Sequence, residues 1–155
     1  MSQFLGTHQN RLDAKGRVSV PAPFRTALRP GADTEAPVTA ILRPSHKYAC
    51  IECWPVAKFE ALAASMSKLA QFSDAHEDMA AALYADAFPV EADKEGRIVL
   101  PAELVSHANL SGQVSFMGMG DTFQIWEPEA GAARRAEART GARLRELSLP
   151  GAVAA

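Results

Sequence analysis

The sequence predicts an α+β fold in which one β-rich unit with a short helix occurs twice, with a helical hairpin between the two copies and a helical tail after them. The main observation is an internal repeat: residues 13–22 read DAKGRVSVPA, and residues 93–102 read DKEGRIVLPA. A second correspondence follows in each half, where residues 51–54 read IECW and residues 123–126 read FQIW. A repeat that keeps its turn residues and its alternating apolar positions indicates one supersecondary unit used twice.

The repeat predicts the elements of the first copy in order. Residues 7–12 and 17–20 are short extended stretches on either side of residues 13–16, whose Asp and Gly favour a tight, hairpin-like reversal. Val18 and Val20 then share one face of the second stretch, and Arg17 and Ser19 share the other. Proline stops this strand and suits the first turn of a helix over residues 22–28. Further strands are expected at residues 38–42 and 48–54.

The middle and the end of the chain carry helical patterns. Apolar residues at a spacing of three or four predict an amphipathic helix over residues 56–72. Ser73-Asp74 is expected to cap a second helix that ends before Pro89. The second copy then repeats the first plan, with strands at residues 114–117 and 122–126, and a helix follows over residues 129–147. The predicted units are repeat 1 (7–54), a helical spacer (55–82), repeat 2 (83–126) and a C-terminal helical tail (127–155).

Composition limits the class of protein. The chain has 155 residues, 48% of them hydrophobic, which fits one compact domain or two small units sharing a core. Its start lacks the basic flank and apolar stretch of a signal peptide, and no apolar run is long enough for a membrane span. With only two cysteines, the sequence predicts a protein of the reducing cytoplasm, without a membrane partner.

Charge is distributed unequally between the two copies. Residues 1–29 contain five basic residues and one acidic residue, a net charge of +4, whereas residues 86–110 contain two basic and five acidic residues, a net charge of −3. If the chain binds a polyanion, the first copy is the expected contact. For the second copy an alternative to polyanion binding stays open, in which its shape serves mainly packing or pairing.

The repeated motif resembles the MraZ family, which belongs to the SpoVT/AbrB-like group of swapped-hairpin DNA-binding proteins. The resemblance rests on Phe4-Leu5-Gly6, on residues 12–21 and on residues 93–101, and it extends from residue 4 to about residue 149. It implies that the two copies interleave their hairpins as an intrachain pseudo-dimer that forms a small barrel. It also implies a closed homo-oligomeric ring and a transcription regulator, with repression favoured, located at the nucleoid. Its expected partner is double-stranded DNA, as direct repeats in the promoter of the division and cell-wall gene cluster that includes its own gene.

The resemblance assigns DNA contact to the two Asp-x-x-x-Arg segments. Arg17 follows a turn on a strand, where its guanidinium can reach a phosphate or a guanine edge, and Lys15 at the turn tip suits a phosphate. Asp13 and Asp93 are expected to fix their turns and hold the arginines rather than to approach DNA. Arg11 is expected to lie across the hairpin from the strand that carries Arg17. The predicted DNA-binding residues are Arg11, Lys15, Gly16, Arg17, Lys94 and Arg97.

Other motifs are weaker. Cys50 and Cys53 form a C-x-x-C, but no second pair completes a zinc site and positions three apart on a strand face opposite ways, so one or both are expected as small core residues. No nucleophile, metal cluster or phosphate loop is evident, so the sequence predicts no enzyme, no cofactor, no metal and no small-molecule substrate. Two alternatives remain: an AbrB-like antitoxin or transition-state regulator, and an interaction protein whose acidic copy faces a basic partner.

Overall fold

The computed structural model describes residues 3–31 and 35–151, and its elements follow the order that the repeat predicts. The strands are β1 (Thr7–Arg11), β2 (Arg17–Ser19), β3 (Thr39–Pro44), β4 (Ile51–Trp54), β5 (Phe88–Glu91), β6 (Arg97–Val99), β7 (Gln113–Gly118) and β8 (Phe123–Trp126). The helices are α1 (Ala22–Leu28), α2 (Val56–Glu60), α3 (Leu62–Met66), α4 (Asp74–Ala80) with a π-helical turn at Ala81–Ala85, α5 (Ala102–His107) and α6 (Pro128–Leu144). Residues 32–34 of the loop after the first predicted helix, and residues 152–155 of the predicted tail, lie outside the described residues.

The strands form an open six-stranded antiparallel sheet and a separate two-stranded ribbon. The order in the sheet is β1-β7-β8-β4-β3-β5, and the ribbon consists of β2 and β6. Pairing crosses between the repeats, because β1 lies on β7, β5 lies on β3, and β2 lies on β6. The expectation of a small barrel is therefore wrong, because the larger sheet is not closed. The turns after β1 and β5 redirect the chain into the ribbon, which leaves β1 and β5 as the edges of the larger sheet.

An aromatic cluster joins the two repeats in one core. The ring of Phe24, on α1 of the first repeat, lies 5.3 Å from Phe4 and 4.9 Å from Phe123 of the second repeat, measured between ring centroids. The ribbon contributes Val18 and Ile98, which face each other across its strands and are buried in the same core. Because its inner face is held in this way, the ribbon presents its outer face on a fixed support.

The helical spacer is more broken than its apolar period predicts. Instead of one helix over residues 56–72, the structure has two short helices, α2 and α3. Phe72, which follows them, has a left-handed φ of +66°. The expected cap of the following helix is present, since Ser73 Oγ accepts the backbone N–H of His76 at 3.1 Å. That helix then widens into the π-helical turn before Pro89.

A buried arginine ties the spacer to the sheet. Arg43, on β3, is only 1% exposed, and its Nη1 donates to Glu52 Oε1 at 2.5 Å. Its Nη2 donates to the carbonyl of Ala82, in the π-helical turn, at 2.9 Å. The Nε1–H of Trp54 donates to the same Glu52 oxygen at 3.1 Å. This network fixes the spacer against the face of β3 and β4.

The C-terminal helix α6 packs on the sheet through Gly131, which is buried beside Trp126. Arg134, on the same helix, is half-buried against an aromatic ring. The guanidinium carbon of Arg134 lies 4.5 Å from the centre of the Tyr48 ring, and Nη1 of Arg134 bonds Glu137. A cation–π contact of this kind anchors the helix to the loop before β4.

Candidate nucleic-acid interface

The first Asp-x-x-x-Arg segment forms a tight turn that Asp13 holds with both its backbone and its side chain. The N–H of Gly16 donates to the Asp13 carbonyl at 3.1 Å, and the N–H of Asp13 donates to the Arg17 carbonyl at 3.0 Å. Asp13 Oδ1 accepts the backbone N–H groups of Lys15 and Arg17, both at 2.9 Å. Asp13 Oδ2 accepts the Nε–H of Arg17 at 2.7 Å. The carboxylate therefore fixes the turn and orients the guanidinium together.

The second segment repeats this geometry closely. Asp93 Oδ1 accepts the backbone N–H groups of Glu95 and Arg97 at 3.0 and 2.9 Å, and Oδ2 accepts the Nε–H of Arg97 at 2.9 Å. The N–H of Gly96 donates to the Asp93 carbonyl at 3.0 Å. The duplication seen in the sequence is thus a duplication of one hydrogen-bonded turn.

These bonds keep the turn carboxylates ionised. The backbone N–H of Arg17, followed by its guanidinium, lowers the pKa of Asp13. The backbone N–H and guanidinium of Arg97 lower the pKa of Asp93 in the same way. Each aspartate is therefore charged at neutral pH and holds its arginine as an ion pair.

Glycine is required in the turn because of both its conformation and its surroundings. Gly16 and Gly96 have left-handed φ values of +81° and +80°. A Cβ on Gly16 would also lie 3.2 Å from the carbonyl oxygen of Leu100, the residue after strand β6 of the ribbon. A side chain at this position would strain the turn and press on the ribbon.

The two arginines differ in what their guanidinium ends contact. Arg17 uses Nε for Asp13, and among residues 3–31 and 35–151 neither of its η nitrogens has a hydrogen-bond partner. In Arg97 the Nη2 group is 3.4 Å from Oε2 of Glu95, so a second carboxylate competes for it. The side chain of Arg17 is 35% exposed. The first turn therefore presents a held, accessible guanidinium edge with two η nitrogens.

The ribbon brings both turns to one surface. Arg17 pairs with Val99, Val18 with Ile98, and Ser19 with Arg97. Because Val18 and Ile98 point into the core, the other four side chains lie on the outer face. The two arginines occupy diagonal positions on that face, with Cα atoms about 7–8 Å apart. The raised pKa of Arg97, caused first by its bond to Asp93, also includes a contribution from the charge of Asp13, which reflects this proximity.

The remaining predicted residues are distributed around this face. Lys15 and Lys94 are exposed in the first and second turns. Arg11 was expected to lie across the hairpin from β2, and this is wrong. Strand β1 pairs with β7 instead, and Arg11 lies opposite Gln113. The reason is that the residues that follow the turn pair with β6 instead of returning along β1.

One basic residue at this surface was missed by the sequence analysis. Arg25, on α1, donates from Nη1 to the Val20 carbonyl at 2.5 Å, and a Cβ on Gly96 would lie 2.7 Å from its Cδ. Its side chain therefore crosses the second, acidic turn, although its charge was counted with the first repeat. The repeat contained a signal, because the position equivalent to Arg25 in the second copy is Val105.

The other chemistry-bearing motifs lie elsewhere. Cys53 is buried in the main core and Cys50 in a separate cluster with Met117 and Trp126, as expected of small core residues. Burial raises the pKa of the Cys50 thiol to about 12 and that of Cys53 well above its usual value. In the described part of the chain, no group of His, Cys, Asp and Glu side chains could hold a metal ion. Within the same residues, no helix is both long and apolar enough to cross a bilayer.

A family of known proteins matches both halves of this chain. A family profile described as "MraZ protein, putative antitoxin-like" matches residues 3–82 and 83–131. A protein of Gluconacetobacter diazotrophicus named "Transcriptional regulator MraZ" is 65% identical over 150 residues, which cover 97% of this chain and 93% of that protein. Proteins with the same name from Gluconobacter oxydans and Azorhizobium caulinodans are 59% and 39% identical; the matches cover 92% and 96% of this chain, and 87% and 92% of those proteins. The profile match over most of the chain and the full-length relatives together show that this chain belongs to the MraZ family.

Proposed function

We propose that this chain is a sequence-specific DNA-binding transcriptional regulator, and that the turn of residues 13–17 is its principal DNA contact. The observation that carries the proposal is the state of Arg17: its Nε is held by Asp13, while its η edge is accessible and unpaired within residues 3–31 and 35–151. The relatives from three bacteria, all named as transcriptional regulators rather than enzymes, support the same class of function.

The chemistry of the turn suits nucleic acid. A guanidinium edge with two free N–H groups can bond the O6 and N7 atoms of guanine or two oxygens of a phosphate. The ion pair with Asp13 limits the rotation of Arg17, so less side-chain freedom is lost when DNA binds. Lys15, exposed beside it, adds a point charge suited to a phosphate. Asp13 acts by positioning Arg17, since a carboxylate in contact with DNA would be repelled.

The second turn is proposed as a weaker contact on the same duplex. Arg97 shares the outer face of the ribbon with Arg17, but Glu95 lies 3.4 Å from one of its η nitrogens. Lys94 and the crossing side chain of Arg25 offset part of that negative charge. The exchange of strands between the repeats is the intrachain counterpart of the swapped-hairpin dimer that the AbrB-like resemblance implies.

Assembly is proposed as the source of useful affinity. One basic turn makes few phosphate contacts, so a single protomer binds weakly. A ring of copies places several turns near a series of direct repeats and raises the effective concentration of each. On the family resemblance, we propose a repressor that binds such repeats in the promoter of the division and cell-wall gene cluster, including its own gene, and that is located at the nucleoid.

The test is a mobility-shift titration on the DNA upstream of the chain's own gene, across a series of salt concentrations. Arg17→Ala is expected to abolish the shift while the oligomer measured by size-exclusion mass analysis is unchanged. Arg97→Ala, which alters the same geometry in the other turn, is expected to weaken binding less. Wild-type affinity in Arg17→Ala would falsify the proposed role of the first turn.

The antitoxin alternative has one observation in its favour, the description "antitoxin-like" that the family profile carries. An antitoxin of this kind usually has one motif copy and a toxin-binding tail, whereas this chain has two copies joined through a spacer. Co-expression with its neighbouring genes distinguishes the two functions. A stoichiometric small toxin bound to the chain would favour the antitoxin, and a chain that shifts promoter DNA without such a partner favours the regulator.

A further inference from the structure

We propose that Val99 is a base-reading residue that packs against the methyl group of a thymine in the major groove. This inference rests on the proposed DNA-binding function and adds a specificity determinant to it. Val99 belongs to the acidic second repeat, outside the charged motif, and its side chain is 57% exposed.

The register of the ribbon places Val99 beside the principal DNA contact. Val99 lies directly opposite Arg17, on the outer face, while Ser19 lies directly opposite Arg97. Its Cγ1 is 3.9 Å from the position that a Cβ on Gly16 would occupy, so it borders the first turn. A ligand that reaches Arg17 therefore meets Val99 next to it.

The chemistry of this face makes Val99 unusual. Its neighbours on the outer face are two arginines and a serine, so the valine methyl groups lie among polar groups and open to water. Each exposed methyl that is covered on binding gains the free energy of removing apolar surface from water. On DNA, the apolar group that a major-groove reader can cover is the C5-methyl group of thymine.

The ribbon has a shape that the major groove admits. A two-stranded β-ribbon fits a groove about 12 Å wide with its outer side chains toward the base edges. There the arginines suit guanine, serine suits either type of base, and valine suits thymine. Val99 and Ser19 occupy equivalent positions of the two repeats, so they are where the outer face departs from two-fold symmetry. The thymine contact is therefore made on one side only, which gives each bound site a direction, as direct repeats require.

The experiment measures whether binding depends on a thymine methyl group and whether Val99 senses it. The probe is the duplex that the wild-type full-length chain selects from a library with a randomised centre. Each thymine of that duplex is replaced by deoxyuridine in turn, which removes only the methyl group, and affinity is measured by fluorescence anisotropy. The wild type is expected to lose about fourfold at one thymine of each site, the value for one buried methyl group.

Val99→Ser is the decisive variant, because Ser19 shows that the equivalent strand position accepts serine. It is expected to bind the thymine duplex about fourfold more weakly and to show no further loss with deoxyuridine. Met119→Ala, which removes an exposed apolar side chain in the turn after β7, is the control and should keep both the affinity and the methyl dependence. Thermal melting checks that both variants remain folded.

The outcomes separate the two proposals. If the wild type selects no duplex, DNA binding itself is refuted and the role of Val99 falls with it. If the wild type binds but tolerates deoxyuridine everywhere, or if Val99→Ser keeps the full methyl dependence, only the role of Val99 is refuted. Loss of the dependence in Val99→Ser alone supports it.

Discussion

The charge difference between the two turns gives the most direct test of whether both lie on one duplex. Glu95 occupies the position in the second turn that Lys15 occupies in the first. Glu95→Lys therefore gives the second turn the charge of the first and changes the local charge by +2. It also removes the carboxylate that lies 3.4 Å from Nη2 of Arg97.

The expected effect follows from counterion release. The Glu95 side chain is 68% exposed and its backbone contact to Asp93 does not depend on the side chain, so the fold tolerates the change. If the new lysine neutralises one phosphate, the slope of log K against log salt becomes steeper by about 0.9. Between about 50 and 200 mM salt, the variant then loses about 3.5-fold more affinity than the wild type loses. At the lower salt concentration it binds more tightly than the wild type.

Fluorescence anisotropy on promoter DNA at four or more salt concentrations measures this slope. Glu60→Lys is the matched control, since it makes the same charge change on α2, in the spacer. If Glu95→Lys leaves both affinity and slope at wild-type values while Lys15→Ala lowers them, the second turn does not approach the duplex. In that case DNA contacts the first turn and the Arg17 side of the outer face, and does not extend across the ribbon to the second turn.

Three further predictions concern stability and reactivity. Arg43→Met should lower the free energy of unfolding by about 3 kcal/mol in urea denaturation, because it leaves the Glu52 carboxylate without its positive partner and the Ala82 carbonyl without its donor; a loss too small to measure would show that the network is not structural. Gly118→Ala should lower the melting temperature, since its Cβ would collide with the backbone oxygen of Phe4. Gly141→Ala in α6 should raise the melting temperature, because alanine favours a helix by about 1 kcal/mol over glycine and only the flexible end of the Arg145 side chain must move aside; shifts of the same sign would contradict the packing. The two buried, protonated thiols should react with Ellman's reagent at pH 8 only after unfolding, and rapid reaction of the native protein would show that they are accessible.

Local signals in the sequence predicted the elements that depend on local chemistry. The bounds of α1, the cap at Ser73 and the alternation of Val18 with its exposed neighbours all match the structure. Each follows from residues within a few positions of one another, such as a proline that starts a helix or a serine that caps one. The ion pair of Asp13 and Arg17 has the same origin, because the turn brings the two side chains together.

What the sequence did not predict depends on contacts between distant segments. The alternating pattern around Val18 is the same whichever strand lies beside it, so it did not reveal that β6 is the partner. Arg43 follows a buried leucine on its strand and was not expected in the core; the carbonyl of Ala82, far along the chain, helps to hold it there. The break between α2 and α3 likewise left the apolar period of the helix unchanged.

The ribbon gives a physical reason for carrying both copies in one chain. In the structure, β2 pairs with β6, and the end of each strand bonds the other turn: the N–H of Val20 donates to Gly96, and that of Leu100 to Gly16. Neither repeat can complete this face alone, so a protein with a single copy must dimerise to build it and then carries two identical turns. Covalent fusion keeps the ribbon but lets its two ends diverge. Here the second turn carries Glu95, whereas the η nitrogens of Arg17 in the first turn have no hydrogen-bond partner within residues 3–31 and 35–151, and the proposed dominant contact rests on this difference.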